Sequence, residues 1–305
     1  MKILVLGANG QLGSELQSSL ECLTRQGRLQ TQISFSKRRD LDLEHLQTIS
    51  TYLDSVAPDI IVNASAYTAV DKAEAQRDLA FLINEAAVKE LALFCQKRMS
   101  YLIHISTDYV FDGQSDRPYV ESDAVGPSGV YGSSKLAGER VVREVLDEHI
   151  ILRTSWVFGA KGDNFVKTML RLASEKSELR VVADQYGAPT SARAIAETVA
   201  AIIDRLTSEP HLDQFWGTYH YSGLPFVSWA EFAKEIFEQA TYRELLKESP
   251  KVCEIGTADF PTLAARPANS RLDCSKLQSA FGIEPDDWKR SLGLMLEELK
   301  LGMQN

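Results

Sequence analysis

The stretch Lys2-Ile3-Leu4-Val5-Leu6-Gly7-Ala8-Asn9-Gly10-Gln11-Leu12-Gly13-Ser14-Glu15-Leu16 decides the fold. Its first residues form a short apolar run with strand character, and Gln11–Arg25 carries helical periodicity. The three glycines between and inside these elements each have a distinct use. Gly7 permits a tight turn, and Gly10 lets the backbone approach a pyrophosphate at the helix N-terminus, where free N–H groups and the helix dipole favour anions. Gly13 lets the helix pack closely on the strand. The spacing is GxxGxxG rather than GxGxxG, so the reading rests on the strand before the motif and the helix after it.

The same rhythm continues outward. Apolar runs at Thr31–Ser36, Asp59–Ala64, Tyr101–Ser106 and Ile150–Ser155 alternate with helical segments at Leu43–Val56, Leu79–Lys97 and Tyr131–Leu146. Alternation of this kind implies βαβ crossovers and a parallel sheet covered by helices on both faces, and runs such as Ile60-Ile61-Val62 suit strands buried on both sides. The expected fold is α/β, a doubly wound parallel sheet of Rossmann type. After Trp156 the rhythm loosens, with Gly187-Ala-Pro, Gly223-Leu-Pro and Ala265-Arg-Pro and with helices at Trp229–Ala240 and Trp288–Lys300. We therefore expect a dinucleotide-binding domain over residues 1–158 plus roughly 191–222, and a smaller α/β C-terminal substrate-binding lobe over 159–190 and 223–305.

Composition narrows the function. A balance of 33 basic against 42 acidic residues gives −9, without a polybasic stripe, which excludes a general nucleic-acid binder. No apolar stretch approaches the ~20 residues of a membrane span, and the run Ile3–Leu6 is too short for a signal-peptide core, so a cytoplasmic protein is expected. Cys22, Cys95, Cys253 and Cys274 lack paired spacing and read as ordinary thiols of a reducing compartment. The five histidines form neither HExxH nor a Cys/His cluster, and no metal site is expected.

Two further segments carry chemistry. Ser106-Thr107-Asp108-Tyr109-Val110-Phe111 closes the fourth strand, and Tyr131-Gly132-Ser133-Ser134-Lys135 opens a helix on which Tyr131 and Lys135, four apart, share a face. Hydride transfer to a carbonyl leaves an alkoxide that needs a proton, and a phenol with a pKa of ~10 gives one up slowly at neutral pH unless a cation favours its phenolate. Lys135 supplies that cation, and Thr107 is placed to polarise the carbonyl. A YxxxK spacing by itself also describes a packed tyrosine with a solvated lysine; its position after the glycine turn and the hydroxyl-bearing strand end favours catalysis. At the end of the second strand, Ser36-Lys37-Arg38-Arg39 offers a hydroxyl and cations to a ribose 2′-phosphate, so NADPH is expected to serve at least as well as NADH. Asp42, just beyond, either caps the next helix or contacts adenine.

Taken together the motifs resemble the extended short-chain dehydrogenase/reductase superfamily, and within it the dTDP-4-dehydrorhamnose reductases. The resemblance is carried by Gly7–Gly13 with Gln11–Leu16, Asn63–Glu74 (including Thr68-Ala-Val-Asp-Lys-Ala-Glu74), Ser106–Gly113 and Tyr131–Glu139. It continues through Arg153–Phe158, Asn164-Phe165, Asp184–Thr190 and Arg266–Ser270, nearly the whole chain. It implies reduction of the C4 ketone of dTDP-4-dehydro-L-rhamnose to dTDP-L-rhamnose, with Tyr131 as proton donor and Lys135 on the nicotinamide ribose. It also implies that Gly10-Gln11-Leu12, Asp42-Leu43 and Ala66-Tyr67-Thr68 line the cofactor, and that Thr107, Asp108 and Trp156 meet the sugar nucleotide. Trp156 read without the resemblance is a strand-end aromatic.

Some members of the family hold Mg²⁺ at a dimer contact through glutamates. Glu15 matches one such position, but the other is Arg193, whose cation would repel a metal and could pair with Glu15. Metal-dependent dimerisation is not expected, and a monomer or a homodimer remains open. Two other functions also stay open: a reductase of another nucleotide-linked keto-sugar, and a non-catalytic regulatory subunit, since the beta subunit of methionine adenosyltransferase is similar to this family.

Overall fold

Strand β1 (Lys2–Leu6) lies inside a six-stranded, wholly parallel sheet, between β2 (Gln32–Ser36) and β3 (Ile60–Asn63). Beyond β3 follow β4 (Tyr101–Thr107) and β5 (His149–Thr154), and then a late strand, Gly217–His220, at the edge. The computed structural model describes residues 1–29, 31–209 and 212–304. The edge strand was not legible in the sequence. It spans only four residues, of which only Tyr219 and His220 are buried, so it lacks the long apolar run that marks the inner strands.

The period of two along β1 divides the core. Ile3 and Val5 face a layer made by helices α1 (Gln11–Arg25) and Ala192–Ser208, with Leu16, Leu20, Val199 and Ile203 fully buried or nearly so. Leu4 and Leu6 face the opposite layer, where Ile49 and Leu53 of α2 (Leu46–Val56) meet Leu91 and Phe94 of α3 (Ala87–Arg98). Helices thus cover both faces, which is the doubly wound architecture the alternation implied. A third apolar cluster stands apart from the sheet. Phe158, Val166 and Leu179 pack there with Phe232, Phe237, Trp288 and Leu292, and a two-stranded parallel ribbon of Glu178–Val182 and Lys251–Ile255 flanks it.

In sequence the chain runs from β1 outward to β2, then crosses to β3 on the other side. That reversal is the switch point at which an open α/β sheet leaves a crevice beyond the carboxyl ends of its strands.

Two helical expectations need correction. The segment Leu79–Lys97 is not one α-helix: it breaks into Arg77–Phe81, a π-helical turn at Leu82–Ala86, and α3. And α2 begins at Leu46 with His45 at its N-cap, so Asp42 does not cap it. Asp42 instead accepts the backbone N–H of Glu44 at 3.1 Å and Arg38 Nε at 3.3 Å, closing a short turn before the helix.

Candidate active site

A cavity of about 800 Å³ opens at the switch point, large by the standard of ligand pockets. The glycine turn forms one end. Gly7 has φ +80°, a conformation side chains avoid, and a Cβ on it would sit 2.8 Å from Ser65 Oγ and 2.9 Å from the Ala64 carbonyl. Gly10 is the N-cap of α1, without a side-chain cap and with no acidic residue in the first turn, which leaves the helix N–H groups to an anion. Gly13 packs on the turn itself rather than on the strand: a Cβ there would fall 2.1 Å from the Gly7 carbonyl oxygen. Gln11 reaches across from the turn, donating to the Val157 carbonyl at 3.2 Å and accepting from Asn164 Nδ2 at 2.7 Å.

Of the expected cofactor residues, Gly7, Gly10, Gln11, Leu12, Asp42, Leu43, Ala66 and Thr68 all line this cavity, together with Tyr131 and Lys135. Gly13 and Tyr67 do not line it. Gly13 supports the turn from behind, while the Tyr67 hydroxyl turns away to donate to Gln76 Oε1 at 2.7 Å. Tyr67 is nonetheless fixed by its backbone, because Asn84 accepts its N–H at 2.9 Å and donates to its carbonyl at 3.1 Å.

Asn84 is a residue that the sequence reading missed. It is buried in the π-helical turn and also donates to Ser134 Oγ at 3.0 Å, while Ser134 donates to the Tyr131 carbonyl at 2.8 Å. One amide therefore ties the 66–68 loop to the helix that carries Tyr131, Val130–Val145, here α4. Its position inside an apparently regular helical run gave no signal beyond its polarity.

At the other end of the cavity stand Thr107, Asp108, Tyr131, Lys135 and Trp156. Thr107 ends β4 and donates to Asp108 Oδ1 at 3.1 Å. Burial pushes the Asp108 carboxyl up to about 6 even though hydrogen bonds from Ser270 and Thr107 oppose it. Burial likewise raises the Tyr131 phenol to about 12, with Thr107 pulling it down. The tyrosine edge packs on Tyr109, ring centroids 5.5 Å apart.

Lys135 is not solvated. It is 2 % exposed, donates to the Ile105 carbonyl at 2.7 Å, and burial lowers its ammonium to about 8 with Glu139 opposing. Glu139, one turn further along α4, is fully buried and bonded by Arg153 at 2.7 Å, Arg143 at 3.1 Å and Ser106 at 2.6 Å, so it belongs to a structural ion cluster beneath the site.

The cavity fits a polar ligand on its own terms. Ser36 Oγ and Thr154 Oγ1 are buried polar atoms without a partner among the described residues, and both belong to residues that line it. Arg38 reaches the cavity, whereas Lys37 and Arg39 do not line it. The Arg38 guanidinium is bonded to Asp42 and Glu44. Elsewhere, Arg193 bonds Glu197 at 3.1 Å rather than pairing with Glu15, on which it acts only through space. Among the described residues no group of three His, Cys, Asp or Glu side chains could hold a metal ion, and no helix is long and apolar enough to cross a membrane.

A parallel sheet whose chemistry-bearing side chains gather beyond its carboxyl edge around a glycine cradle is the arrangement of an extended short-chain dehydrogenase/reductase, a class of oxidoreductases. Within that class the chain belongs to the dTDP-4-dehydrorhamnose reductase family, and it matches the RmlD substrate binding domain over residues 1–301. It is 44% identical over 292 residues to dTDP-4-dehydrorhamnose reductase of Aggregatibacter actinomycetemcomitans, covering 95% of this chain and 97% of that one. The crystal structure of a dTDP-4-dehydrorhamnose reductase from Clostridium acetobutylicum superposes with a TM-score of 0.89 at 37% identity, covering 98% of this chain and 100% of the other. That of the Bacillus anthracis enzyme, in complex with NADP, gives 0.85 at 36%, covering 97% and 99%.

Proposed function

We propose that this enzyme reduces the C4 ketone of dTDP-4-dehydro-L-rhamnose to the alcohol of dTDP-L-rhamnose, using NADPH in preference to NADH. The observation that carries the reading is the placement of Thr107, Tyr131 and Lys135 on the same cavity as the Gly7–Gly10 cradle. The residues fit a dinucleotide, with the α1 N-terminus toward its pyrophosphate and Lys135 toward the nicotinamide ribose; when bound in reduced form it supplies the hydride.

The chain's own side chains handle the rest. Thr107, at the strand end, holds and polarises the C4 oxygen, and Tyr131 Oη gives that oxygen its proton as the carbonyl carbon is reduced. The charge on Lys135 favours the phenolate left behind. Asp108 and Trp156 meet the sugar nucleotide. Preference for NADPH follows from Ser36, whose hydroxyl has no partner among the described residues, and Arg38 at the cavity rim, a hydroxyl and a cation suited to a ribose 2′-phosphate.

In this reading residues 1–158 with roughly 191–222 hold the cofactor, and 159–190 with 223–305 close over the sugar nucleotide, a division that the separate third apolar cluster supports. The enzyme works in the cytoplasm as a monomer or homodimer, and its assembly does not depend on Mg²⁺, because Arg193 places a cation where a second ligand would be needed.

The test is loss of absorbance at the nicotinamide band with dTDP-4-dehydro-L-rhamnose, set against GDP- and UDP-linked keto-sugars. Tyr131→Phe retaining near-full turnover would overturn the mechanism, and sedimentation with and without EDTA decides the role of metal.

A further inference from the structure

Behind Lys135 a chain of hydrogen bonds fixes which nitrogen of a buried histidine carries its proton. The backbone N–H of Ser65 donates to Asn63 Oδ1 at 3.1 Å. An N–H can only donate, so the other end of that amide, Nδ2, is the NH₂ group, and it lies 3.1 Å from His104 Nδ1. His104 Nδ1 must accept. Burial drives the ring to its neutral form, with Lys135 and His149 acting in the same direction, so the one ring proton sits on Nε2. His104 Nε2 lies 3.4 Å from Lys135 Nζ. Lys135 is therefore met by an N–H. A free amine can accept it, whereas an ammonium faces donor against donor, with the Ile105 carbonyl at 2.7 Å as its acceptor.

From this we propose that His104 is a positioning residue of the reductase, one that acts through Lys135. By presenting Nε2–H to Nζ it favours the uncharged amine and so sets the pH at which the Tyr131–Lys135 pair loses the charge that makes Tyr131 a competent acid. The proposal rests on the reading of Tyr131 and Lys135 given above. The other charged and titratable groups around the pair do not replace this contact. Glu139 on the same helix favours the ammonium but is engaged by Arg153, Arg143 and Ser106; Asp108, beside Tyr131, is hydrogen-bonded by Thr107; His149 lies across the sheet on β5. His104 itself is fully buried inside β4, where a leucine or valine would be the ordinary occupant.

The experiment is ¹⁵N-histidine NMR of the full chain without ligand, with His104→Gln identifying the resonance, joined to pH profiles of kcat/KM. The result expected is a His104 ring at neutral pH with an unprotonated Nδ1 and a protonated Nε2. A protonated Nδ1 overturns the proposal whatever the activity. In kinetics, His104→Gln, whose amide oxygen can turn to accept from the ammonium, moves the alkaline limb upward by about half a pH unit, roughly a threefold gain at pH 9 relative to pH 7. Asn63→Asp, whose second oxygen demands a proton on His104 Nδ1, moves it the same way and switches the ring signal. An unmoved limb in folded variants overturns it. Loss of the Tyr131 mechanism would show instead as a Tyr131→Phe enzyme that still turns over, leaving the ring signal as it was.

Discussion

The indole of Trp156 lies flat on that of Trp229, ring centroids 3.5 Å apart and planes 10° from parallel. Trp156 has φ +46°, a left-handed conformation that costs a non-glycine residue ~1 kcal/mol or more. Its ring also runs over Gly187, where a Cβ would come within 2.5 Å of it. Trp229 opens the helix Trp229–Tyr242, whose start is fixed by a reciprocal Ser228–Glu231 capping box, and it packs on Phe165 at 4.6 Å. A wall of the cavity is thus braced by an element of the third apolar cluster.

Removing the brace should therefore affect the sugar nucleotide and spare the cofactor. A stacked aromatic pair contributes ~1 kcal/mol beyond its buried area, so Trp229→Ala is expected to raise KM for the sugar nucleotide by roughly fivefold. KM for NADPH should change by less than about twofold. Equal increases in both would show that the stack serves general stability.

Gly13→Ala probes the cradle from behind. The added methyl would lie 2.1 Å from the Gly7 carbonyl oxygen and 2.8 Å from Ala8 Cα, both backbone atoms that can yield only if the turn moves. Overpacking of this kind costs about 1–3 kcal/mol. We expect a lower melting temperature and a smaller thermal shift on adding NADPH, read by differential scanning fluorimetry. A variant with the parental NADPH shift would mean that the turn does not need this contact.

These contacts also explain what was legible beforehand. That Gly7 and Gly10 belong to a tight turn opening a helix could be read because such a glycine requirement is local, set within one short stretch of sequence, whereas Gly13 was read as packing on the strand and instead packs on the Gly7 turn. Tyr131 and Lys135 were readable for a similar reason, since four-residue spacing on a helix places them without tertiary knowledge. Asn84 was not readable. Leu82–Ala86 has helical composition, and its π-turn accompanies packing against α4, where Gly138 comes so close that a Cβ would fall 2.1 Å from the Asn84 carbonyl. His104 reads as a stray polar residue in an apolar strand until Asn63 and Lys135 are brought to its two ring nitrogens from 41 and 31 residues away. Arg38 shows the same limit, because its bonds to Asp42 and Glu44 depend on the turn before α2 rather than on the basic run that drew attention to it.

The ion cluster under Lys135 should carry stability and its pH dependence. Burial alone would raise the Glu139 carboxyl, but its hydrogen bonds and attraction to Arg153, then Ser106 and Arg143, hold it below the usual carboxylate range. A folded-state pKa below the unfolded one gives stability that is present above the ordinary glutamate pKa of ~4.3 and is lost as pH falls through the depressed value. Glu139→Gln leaves Arg153 buried without its charge partner, which costs ~3–5 kcal/mol. Chemical denaturation should show that loss at pH 7, and the gap between variant and parent should narrow as pH falls below about 4. A gap constant with pH would mean that packing, rather than charge, holds Glu139 in place.

The proposed preference for NADPH is tested at Arg38. Its side chain is 73% exposed and shares its charge between Asp42 and Glu44, so binding a 2′-phosphate requires the guanidinium to trade one carboxylate for the phosphate at little desolvation cost. Nearby, the Ser36 hydroxyl is buried without a partner among the described residues and is free to donate to the same group. Arg38→Ala should therefore raise KM for NADPH by about tenfold, ~1.4 kcal/mol, while KM for NADH changes little or falls. Because the partner is an ionic group at the surface, the parental preference for NADPH should weaken as salt is raised from 50 to 500 mM, and the variant should show no such dependence. Steady-state kinetics with both cofactors at the two salt concentrations checks the assignment, and an Arg38→Ala enzyme that keeps its parental KM ratio would move phosphate recognition away from this residue.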